Sequence, residues 1–512
     1  MTDRRYGVNK YGDGKLYGPS DPRQALAWDA SIDWDEDNLF EENEANRLTA
    51  VDINRGRTRL LQDAGQGFEA VSDGTAVLTL RNQDGRFDGW NTASPLYPNV
   101  NYGKDLRVRV RNLNSDADPY PLFRGTITNI VPVGYGDDAK VMVYASDGLN
   151  LLRNYSARVA MQLGISVGAA IGKLLDAVQW PSKWGRDLDV SAETIPYWWA
   201  SGSRQAMSEI DDLAASFLGY FFVNASGAAR FIQRSNVSSL VASFTQDMIL
   251  KDIGNPQPYE LLRNITRLKV HPRTASATVT IFQLVGLPPS VSPGGANAEK
   301  IFPNYTYNGQ PVPATSVAIS VFEANTQSNF LGTDVTSSCS AVLTDFGDGG
   351  LVEITNNSAG LIYYRLELEG IAIYEPNTAD VTYPKDLATI KNPRELVLDL
   401  RWQQDLNVAR DIANVLGPFY SGQHPIPTVK IDDRPDLQYL ADLFDIVTPT
   451  IDQLGLGGNS FRVGGIQHRT DTQFENCQKV QTIWRLEPYV SASDFMQWDS
   501  NSVWDTSTVP GW

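Results

Sequence analysis

Apolar and polar residues alternate strictly in two stretches of the segment from Thr75 to Arg111. The apolar members are, in order along the chain, Ala76, Leu78, Leu80, Leu106, Val108 and Val110. Alternation with period two places one set of side chains on each face of a strand, which is typical of an antiparallel sheet with one buried face. The segment therefore predicts two strands joined by a long loop, as half of a small β-barrel.

The period of the pattern changes further along the chain. Apolar residues at helical spacing follow Ser166 and Ser203, each a candidate N-cap, and predict helices at about residues 166–178 and 204–218. A third helix is predicted from Gln403 to Leu416, closed by Gly417. Strand patterns separated by turn residues fill most of the rest. The sequence thus predicts a mainly β protein with a small α/β part.

The pattern divides the chain into two β-barrels, an α/β domain and an inserted β-sandwich. The predicted regions are an N-terminal arm at 1–48, a first barrel at 49–150, an α/β domain at 151–235, a second barrel formed by 236–270 and 381–490, a β-sandwich inserted at 271–380, and an aromatic tail at 491–512.

The order of motifs in the first predicted barrel recurs in the second. Asp105-Leu106 opens a strand that is followed by Phe123-Arg124, and Asp442-Leu443 is followed at a similar distance by Phe461-Arg462. We therefore expect two barrels of one type in each chain. Three chains would present six similar barrels in a ring, because cyclic symmetry is the ordinary way in which an oligomer closes.

The net charge of the chain limits the classes of function that the sequence supports. The 43 Lys and Arg residues stand against 60 Asp and Glu residues, which gives a net charge of −17. This balance argues against sequence-specific nucleic-acid binding, since that function needs a basic face. It suits a surface past which DNA slides without sticking, because like charges repel.

Cysteine usage and hydropathy point to folding in a reducing cytoplasm. The two cysteines, Cys339 and Cys477, are far apart and form no CxxC motif, so the sequence supports neither a disulfide framework nor a zinc site. The N-terminal residues lack the apolar core of a signal peptide. No run approaches the roughly 20 apolar residues of a membrane span.

An acidic stretch near the N-terminus is the candidate for a metal site. Asp33, Asp35, Asp37 and Glu44 occupy positions 1, 3, 5 and 12 of the calcium-loop pattern. Position 6 is normally Gly, which adopts the left-handed conformation more readily than the Asn38 found here. A solvated acidic strand edge is the favoured interpretation, and neither a metal nor a cofactor is predicted.

Two further features are better explained by structure than by catalysis. Asp84 and Asp88 could form a glycosidase carboxylate pair, but aspartates are also frequent in tight turns. His468 lies in a strand pattern without a nearby Cys or His, and we interpret it as a half-buried structural histidine. The segment Gly164-Ile165-Ser166-Val167-Gly168 has the Gly-x-Ser-x-Gly spacing of a nucleophile elbow, but Ser166 is interpreted as the N-cap of the helix that follows it, and no catalytic residue is predicted.

Several motifs together resemble the hub proteins at the tail tip of tailed phages. They are Arg55-Gly56-Arg57, Gly74–Asp88, Asn91–Tyr97, Leu122–Gly125 leading to Ser146-Asp147-Gly148, Ile165–Arg234, Arg263-Asn264-Ile265 and Phe461–Pro488. The resemblance implies two tail-tube-like β-barrels per chain in a homotrimer that adapts a sixfold tube to a threefold tip. It implies a channel for the tape-measure protein and for DNA, which passes without specific binding. The expected location is the distal end of the tail in the virion, beside the tail tube or distal-tail ring protein and the tail-tip or fibre proteins.

Contacts between subunits or rings are expected at two places. One is the long loop between the strands of the opening segment, whose candidate contact residues are Leu96, Tyr97 and Tyr102. The other is the basic stripe on the second strand, formed by Arg107, Arg109 and Arg111. A nucleic-acid surface would interleave exposed aromatic residues with these arginines. Ion pairs to an acidic neighbour, such as another subunit, are therefore the favoured interpretation of the stripe.

Functions from different classes stay open at this stage. The favoured one is a structural hub of the tail tip or baseplate. A second is a binding module, in which the sandwich at 271–380 recognises carbohydrate on the host surface. A third is a polysaccharide-degrading enzyme that uses Asp84. A hexameric distal-tail ring protein is a lesser structural alternative, since such rings are built from a barrel of the same kind.

Overall fold

The fold is mainly β. A computed structural model describes residues 9–10, 16–17, 26–40, 42–57, 71–112, 118–190, 193–233, 240–245, 253–254, 262–294, 299–387, 390, 392–422, 425–432, 434–451, 456, 459–470 and 480–489. Within these ranges no helix is long and apolar enough to cross a membrane. Short strands are left unnumbered at Asn9–Lys10, Leu16–Tyr17, Glu42–Asn43, Thr306–Tyr307 and Gln310–Pro311. The predicted aromatic tail at 491–512 lies outside the described residues.

Six antiparallel strands form the first module. They are β1 (Leu26–Asp33), β2 (Leu48–Gly56), β3 (Ser72–Arg81), β4 (Asp105–Asn112), β5 (Tyr120–Val133) and β6 (Lys140–Ser146). They are hydrogen-bonded in the order β2-β3-β6-β5-β4-β1. The predicted alternation is present, since Ala76, Leu78 and Leu80 are fully buried. Apolar side chains from all six strands pack into one core, so the sheet curves around that core.

The predicted N-terminal arm is wrong for residues 26–33, which belong to the first module. Residues 26–33 form β1, which pairs along its whole length with β4, from Leu26 opposite Asn112 to Asp33 opposite Asp105. Trp28, Ala30 and Ile32 of this strand are buried in the core of the first module. The strand carries the same period-two alternation as the other strands, with Trp28, Ala30 and Ile32 on one face and Asp29, Ser31 and Asp33 on the other.

An α/β region follows the first module. Its elements are α1 (Leu149–Asn154), β7 (Ser156–Ser166), α2 (Val167–Ala177), β8 (Arg186–Leu188), β9 (Thr194–Gln205), α3 (Ala206–Ser216), β10 (Tyr220–Val223) and β11 (Ala229–Ile232). Ser166 caps α2 as predicted, because its hydroxyl accepts a hydrogen bond from the Ala169 N–H. Helix α3 begins after Gln205, which makes no side-chain cap, so the predicted role of Ser203 is wrong.

Three strands come next along the chain, and the second of them is only two residues long. They are β12 (Leu240–Thr245), β13 (Ile253–Gly254) and β14 (Ile265–Val270). The chain then leaves this part of the molecule and returns at residue 379. The intervening residues form the insert.

The insert folds around a core of its own. Its strands are β15 (Thr274–Gln283), β16 (Ser290–Val291), β17 (Glu299–Ile301), β18 (Ala314–Asn325), β19 (Cys339–Asp345), β20 (Gly350–Asn356) and β21 (Ile362–Tyr374). Strand β21 pairs with β15, β16 and β18, while β20 pairs with β17 and β19. Apolar side chains of both sheets meet in one cluster that includes Ile281, Val352 and Leu366. This arrangement is that of two packed sheets.

The last part of the chain completes two different layers. Its elements are β22 (Ala379–Tyr383), β23 (Glu395–Leu400), α4 (Leu406–Ser421), β24 (Thr428–Asp432), α5 (Pro435–Gln438), β25 (Ile446–Thr450), β26 (Phe461–Thr470) and β27 (Val480–Pro488). The predicted end of helix α4 at Gly417 is wrong, because the helix continues through Pro418 to Ser421.

The second module consists of β12, β13, β24, β25, β26 and β27. Its neighbours are paired in the order β13-β24-β27-β26-β25-β12. Its apolar face includes Phe244, Val429 and Trp484, which share one core with the helices of the α/β region. The α/β region at 151–235 is therefore packed on the second module and has no separate core.

The predicted second barrel included residues that belong to another layer. Strand β14 lies between β22 and β23 in a three-stranded sheet, apart from the sheet of the second module. Helix α4 covers this sheet, and Leu268, Leu398, Ile412 and Leu416 are among the side chains of its core. The boundaries 236–270 and 381–490 therefore join two layers, because strand patterns in sequence do not reveal which sheet each strand enters.

We predict that the insert can be removed without unfolding the rest of the protein. Val270 of β14 and Ala379 of β22 are directly opposite each other in an antiparallel pair, so the insert leaves and re-enters at the position of a hairpin turn. Replacing residues 271–378 by Asn-Gly, which forms a two-residue hairpin turn, should lower the melting temperature by only about 5 °C. Circular dichroism on heating measures this. Aggregation of the shortened chain would contradict the prediction, and the separate fragment 272–377 is the control, which should unfold cooperatively.

Candidate assembly interface

The two modules repeat one strand order. Counted along the chain within each module, the six strands are arranged 2-3-6-5-4-1 in both. Neighbouring strands are antiparallel throughout the first module. The second module differs at one pair, since β12 and β25 are parallel. The halves of the chain therefore share a topology, as the repeated motifs predict.

The correspondence extends to individual backbone hydrogen bonds. In the first module, the Gly103 N–H donates to the Ile127 carbonyl and the Ile127 N–H donates to the Lys104 carbonyl, both at 2.8 Å. In the second, Phe444 N–H donates to the Val463 carbonyl at 2.8 Å, and Val463 N–H donates to Asp445 at 3.0 Å. These two turns match residue for residue.

Backbone angles and bulges support the same alignment. Gly103 and Phe444 both have left-handed backbones, with φ of +87° and +64°. A β-bulge follows Ile127 in β5 and follows Val463 in β26 at the equivalent place. Asp105 is thus equivalent to Ile446. The sequence motifs paired Asp105 with Asp442. They match the correct strands with each other, but Asp442 lies four residues before Ile446, the true equivalent of Asp105.

The modules are joined edge to edge through β2 and β26. Five residue pairs run antiparallel from Gly56 opposite Gly465 to Asp52 opposite Arg469. One edge of β26 pairs with β25 before the bulge and with β2 after it. We call the contact between β2 and β26 the junction. It makes one continuous sheet of both modules.

Glycine is required at the junction because the two backbones come very close. Gly56 has φ of +88°, and a Cβ atom there would lie 2.5 Å from the Gly464 carbonyl oxygen. The next residue, Arg57, donates its N–H to that same oxygen at 2.9 Å. A side chain at position 56 would therefore force the strands apart.

A buried ion pair also links the modules at the junction. Arg57 donates to the Glu487 carboxylate at 2.8 Å, and both side chains are about nine-tenths buried. The guanidinium lies over the rings of Tyr220 and Phe444, at 5.4 and 5.3 Å. Burial opposes the charge, but Glu487 and the nearby Tyr220 raise the pKa of Arg57 above its usual value. The pair is thus held charged, and removing one partner would leave an uncompensated charge.

The loop between β24 and β25 contributes the rest of the junction. Leu443 is buried, and its Cδ2 atom would lie 2.6 Å from a Cβ on Gly56. Asp442 forms an ion pair with Arg55 of β2. Tyr439 packs in the core of the first module, with its ring 5.9 Å from that of Tyr120. One loop of the second module therefore docks on the first.

The first module carries the equivalent surface in an exposed state. Its loop between β3 and β4 places Tyr102 at the position equivalent to Leu443, and Tyr102 is 72% exposed. Its strand β5 continues past the bulge as Asn129–Val133, which is equivalent to the junction half of β26. Among the described strands, β6 pairs with this stretch on one edge and none pairs on the other. We call this unpaired edge, with Tyr102, the open edge.

The predicted contact residues of the loop fall into two groups. Leu96 is 5% exposed and packs in the core of the first module, so little of its surface is left to be covered on assembly, and its role as a contact stays a prediction. Its apolar side chain fills the space under the loop, which sequence alone does not distinguish from a surface anchor. Tyr97 and Tyr102 are both largely exposed, and their role as contacts stays a prediction.

The basic stripe meets an acidic neighbour within the same chain. Arg109 donates to the Asp29 carboxylate of β1 at 2.7 Å, and Arg107 lies 3.7 Å from the same group. The Arg107 guanidinium also lies 4.2 Å from the centre of the Phe40 ring. Both arginines therefore have an acidic partner within the chain, and their role in contacts with another subunit stays a prediction. Arg111 is exposed, and its role stays a prediction.

The acidic stretch is only partly as predicted. Carboxylate oxygens of Asp33, Asp35 and Asp37 lie within 4.8 Å of one another, and Asn38 has the left-handed φ of +69°. Glu44 is not in this group, since its carboxylate is bound by Arg86 at 2.9 Å. Asp33 is buried rather than solvated. Glu44, the fourth residue of the calcium-loop pattern, is therefore paired with Arg86 and does not lie with the three aspartates.

Two of the residues considered for catalysis, Asp84 and His468, have structural surroundings. Arg47 donates two hydrogen bonds to Asp84, at 2.9 and 2.7 Å, and these lower the pKa of that carboxyl below its usual value. Such a group is held ionised and is unsuited to act as a general acid. His468 is buried at the junction, where its Nδ1 atom lies 2.9 Å from the Thr482 hydroxyl. It is therefore more deeply buried than predicted.

The chain is similar in structure to phage tail proteins. One is a tail protein from Neisseria meningitidis MC58, with 9% identity, a TM-score of 0.48, and coverage of 90% of this chain and 96% of that chain. Another is the 43 kDa tail protein of prophage MuSo2 from Shewanella oneidensis, with 10% identity, a TM-score of 0.49, and coverage of 91% and 98%. A third is prophage tail protein gp18 from Listeria monocytogenes EGD-e, with 9% identity, a TM-score of 0.40, and coverage of 91% and 97%.

Each of the three is a tail protein, and two of them come from prophages. With about one residue in ten identical and TM-scores below 0.5, the similarities do not determine the function of this chain. No protein-family model and no curated protein matches the sequence. The function proposed below for this chain therefore rests on the geometry of the two modules.

We predict that Gly56→Ala destabilises the protein much more than Gly103→Ala. Both glycines have nearly the same left-handed φ, but no atom lies within 4 Å of a Cβ on Gly103. The control substitution should cost about 1 kcal/mol of unfolding free energy, the strain of a left-handed alanine. At Gly56 the clash with the Gly464 carbonyl should raise the cost to about 3 kcal/mol. Urea unfolding measures both, and equal costs would contradict close approach at the junction.

We also predict that acid weakens the junction through His468. Burial, with a smaller effect of Arg55, lowers the pKa of His468 to about 3. An unfolded histidine titrates near 6.5, so the unfolded state binds more protons between pH 6.5 and 3, and stability falls as the pH is lowered through this window. The contribution of His468 to this loss should be about 2 kcal/mol between pH 7 and pH 5. It is opposed by the buried carboxyl groups of Asp147, Glu209 and Asp211, because burial raises their pKa values to about 7, 7 and 6.

Urea unfolding followed by tryptophan fluorescence at the two pH values measures this loss. His468→Gln should make the change in unfolding free energy between the two pH values more favourable to the folded state at pH 5 by about 2 kcal/mol. An unchanged pH dependence in His468→Gln would assign the effect to another group.

Proposed function

We propose that this chain is a structural hub protein of a phage tail tip or baseplate. In this proposal three copies form a ring that caps the tail tube and adapts its sixfold symmetry to a threefold tip. The ring encloses a channel for the tape-measure protein and for DNA. The neighbours along the axis are the tail tube or distal-tail ring protein on one side and tip or fibre proteins on the other.

The repeat of one module within one chain is the observation that carries this proposal. Two copies of the same six-strand order are joined edge to edge at the junction. A ring of three chains then contains six similar modules, which is the arithmetic that a sixfold tube facing a threefold tip requires. A protein with a single module per chain would meet a sixfold tube as a hexamer, and the internal repeat favours the hub over that ring.

The charge of the chain supports a channel that DNA traverses. A net charge of −17 per chain gives a trimer that repels the phosphate backbone at long range. Arg107 and Arg109 do not form a free basic track, because both are paired with the Asp29 carboxylate. The described surface therefore suits passage of DNA better than its retention.

We predict that the purified full-length chain forms trimers with a central opening. Mass photometry should show a species of three times the 56.5 kDa chain mass. Class averages from negative-stain electron microscopy should show six lobes around a hole, with threefold symmetry. Deletion of the gene should give particles without functional tails, and labelled antibody should bind the distal end of the wild-type tail.

Two outcomes would overturn the proposal. A hexamer of the chain would support the distal-tail ring alternative instead. Labelling along the tail or at its periphery would remove the protein from the axis of the tube and with it the proposed channel.

A further inference from the structure

We propose that the open edge of the first module binds the second module of another copy, so that β5 of one chain pairs with β13 of the next. This inference rests on the proposed function, because it names the contact through which such a ring would close. It is drawn from the residue-level equivalence of the two modules. That equivalence turns the junction inside one chain into a template for a contact between two chains.

The template is defined by the strands of the junction. There, the edge of β26 beyond its bulge is covered by β2. The equivalents of β26 and β2 are β5 and β13, because they hold the same places in the two strand orders. A second copy of the junction would therefore pair β5, at Asn129–Val133, with β13. Within one chain this pairing is not made.

The register of the new contact follows from the equivalent residues. Gly254 of β13 lies opposite Thr428 in β24, and counting through the sheets makes Gly254 the equivalent of Asp52 in β2. Asp52 pairs with Arg469, whose equivalent in β5 is Val133. The proposal therefore places Val133 of one copy opposite Gly254 of the next.

The open edge has the properties of an uncovered interface. Val133 is 45% exposed, and Thr128 and Asn129 at the bulge are also exposed. The backbone N–H of Ile130 is hydrogen-bonded to the side chain of the preceding residue, Asn129, at 2.9 Å. An amide oxygen thus occupies a backbone donor on this stretch, and an incoming strand can take its place, as in other cases of strand addition to a sheet edge.

Tyr102 strengthens the case from a different element. Its equivalent, Leu443, is buried against Gly56 at the junction, whereas Tyr102 is 72% exposed. The turn that presents each residue is fixed by the same pair of backbone hydrogen bonds. A large aromatic side chain held out on a fixed turn loses little conformational freedom when it is buried by a partner.

The contact is heterologous, because it joins two different surfaces. Each chain offers the open edge on its first module and β13 on its second, and β13 is the last strand of the described sheet. Repetition of such a contact produces a closed ring when the rotation between copies closes. The second copy of this chain is thus an occupant whose complementary edge is already known.

The test is a register-specific disulfide between copies. Val133→Cys and Gly254→Cys are combined in a chain in which Cys339 and Cys477 are replaced by serine. Directly opposed residues of antiparallel strands lie about 4.5–5.5 Å apart at Cα, within the range of a disulfide. Oxidation with diamide should convert most of the trimer into covalently linked dimers and trimers on a non-reducing gel.

Matched controls separate this contact from random collisions. Each single-cysteine variant should stay largely unlinked. Val190→Cys combined with Gly254→Cys carries a more exposed thiol, since Val190 is 88% exposed, and should also stay unlinked. If Gly254→Cys fails to fold, Tyr102→Asp gives an independent readout and should weaken trimer association at least tenfold in mass photometry. Val285→Asp, at an insert position 91% exposed, is its control.

The outcomes distinguish the two proposals. A trimer that shows neither the disulfide nor sensitivity to Tyr102→Asp overturns the open-edge contact while leaving the hub function in place. A thiol at position 133 that links to a different tail protein also overturns it, since the occupant is then not a second copy. A chain that is monomeric in solution and absent from the tail tip overturns the hub function itself.

Discussion

The backbone pairing of β2 with β26 is the interaction on which the rest of the molecule depends. It requires glycine on both strands, at Gly56 and Gly465, because the chains approach too closely for side chains. It also buries the ion pair of Arg57 and Glu487. The backbone contact and the ion pair stabilise each other, because the ion pair is shielded from water only while the two strands stay together. Both modules are thereby held in one sheet.

The two modules differ mainly in what covers them. The second shares its core with α2 and α3, and its β26 edge is occupied by β2. The first has a core of its own, to which the second contributes Tyr439 and Val480. The same strand order therefore exists once in a completed environment and once in an incomplete one. This difference within a single chain is the reason for proposing that a partner covers the open edge of the first module.

Local patterns in the sequence predicted the local structure well. The alternation at Ala76–Leu80 and the Ser166 cap are present as expected, because both depend on neighbouring residues. The repeat of the modules was also visible as an order of motifs. Its register was not, since matching dipeptides such as Asp105-Leu106 and Asp442-Leu443 carry no information about bulges or hydrogen bonds.

Long-range relationships could not be read from the same patterns. Strand β1 was hidden in an apparent arm, and with it Asp29, the partner of Arg107 and Arg109. Leu96 looked like a surface anchor, although it fills the core under its loop. The separate sheet of β14, β22 and β23 was assigned to the second barrel. In each case the decisive contact joins residues far apart in the chain, where pairing is set by packing and not by local preference.

Pro132 gives the unassembled chain a safeguard against the wrong neighbours. It lies in the exposed stretch of β5 beyond the bulge, and proline has no backbone N–H to offer an incoming strand. Strands of unrelated or unfolded chains are therefore poorly matched to this edge, in the way that natural sheets protect themselves from uncontrolled growth. Under the proposed open-edge contact, a newly made chain would thus be protected from pairing with unrelated strands, and the surface that receives Tyr102 would compensate for the missing donor.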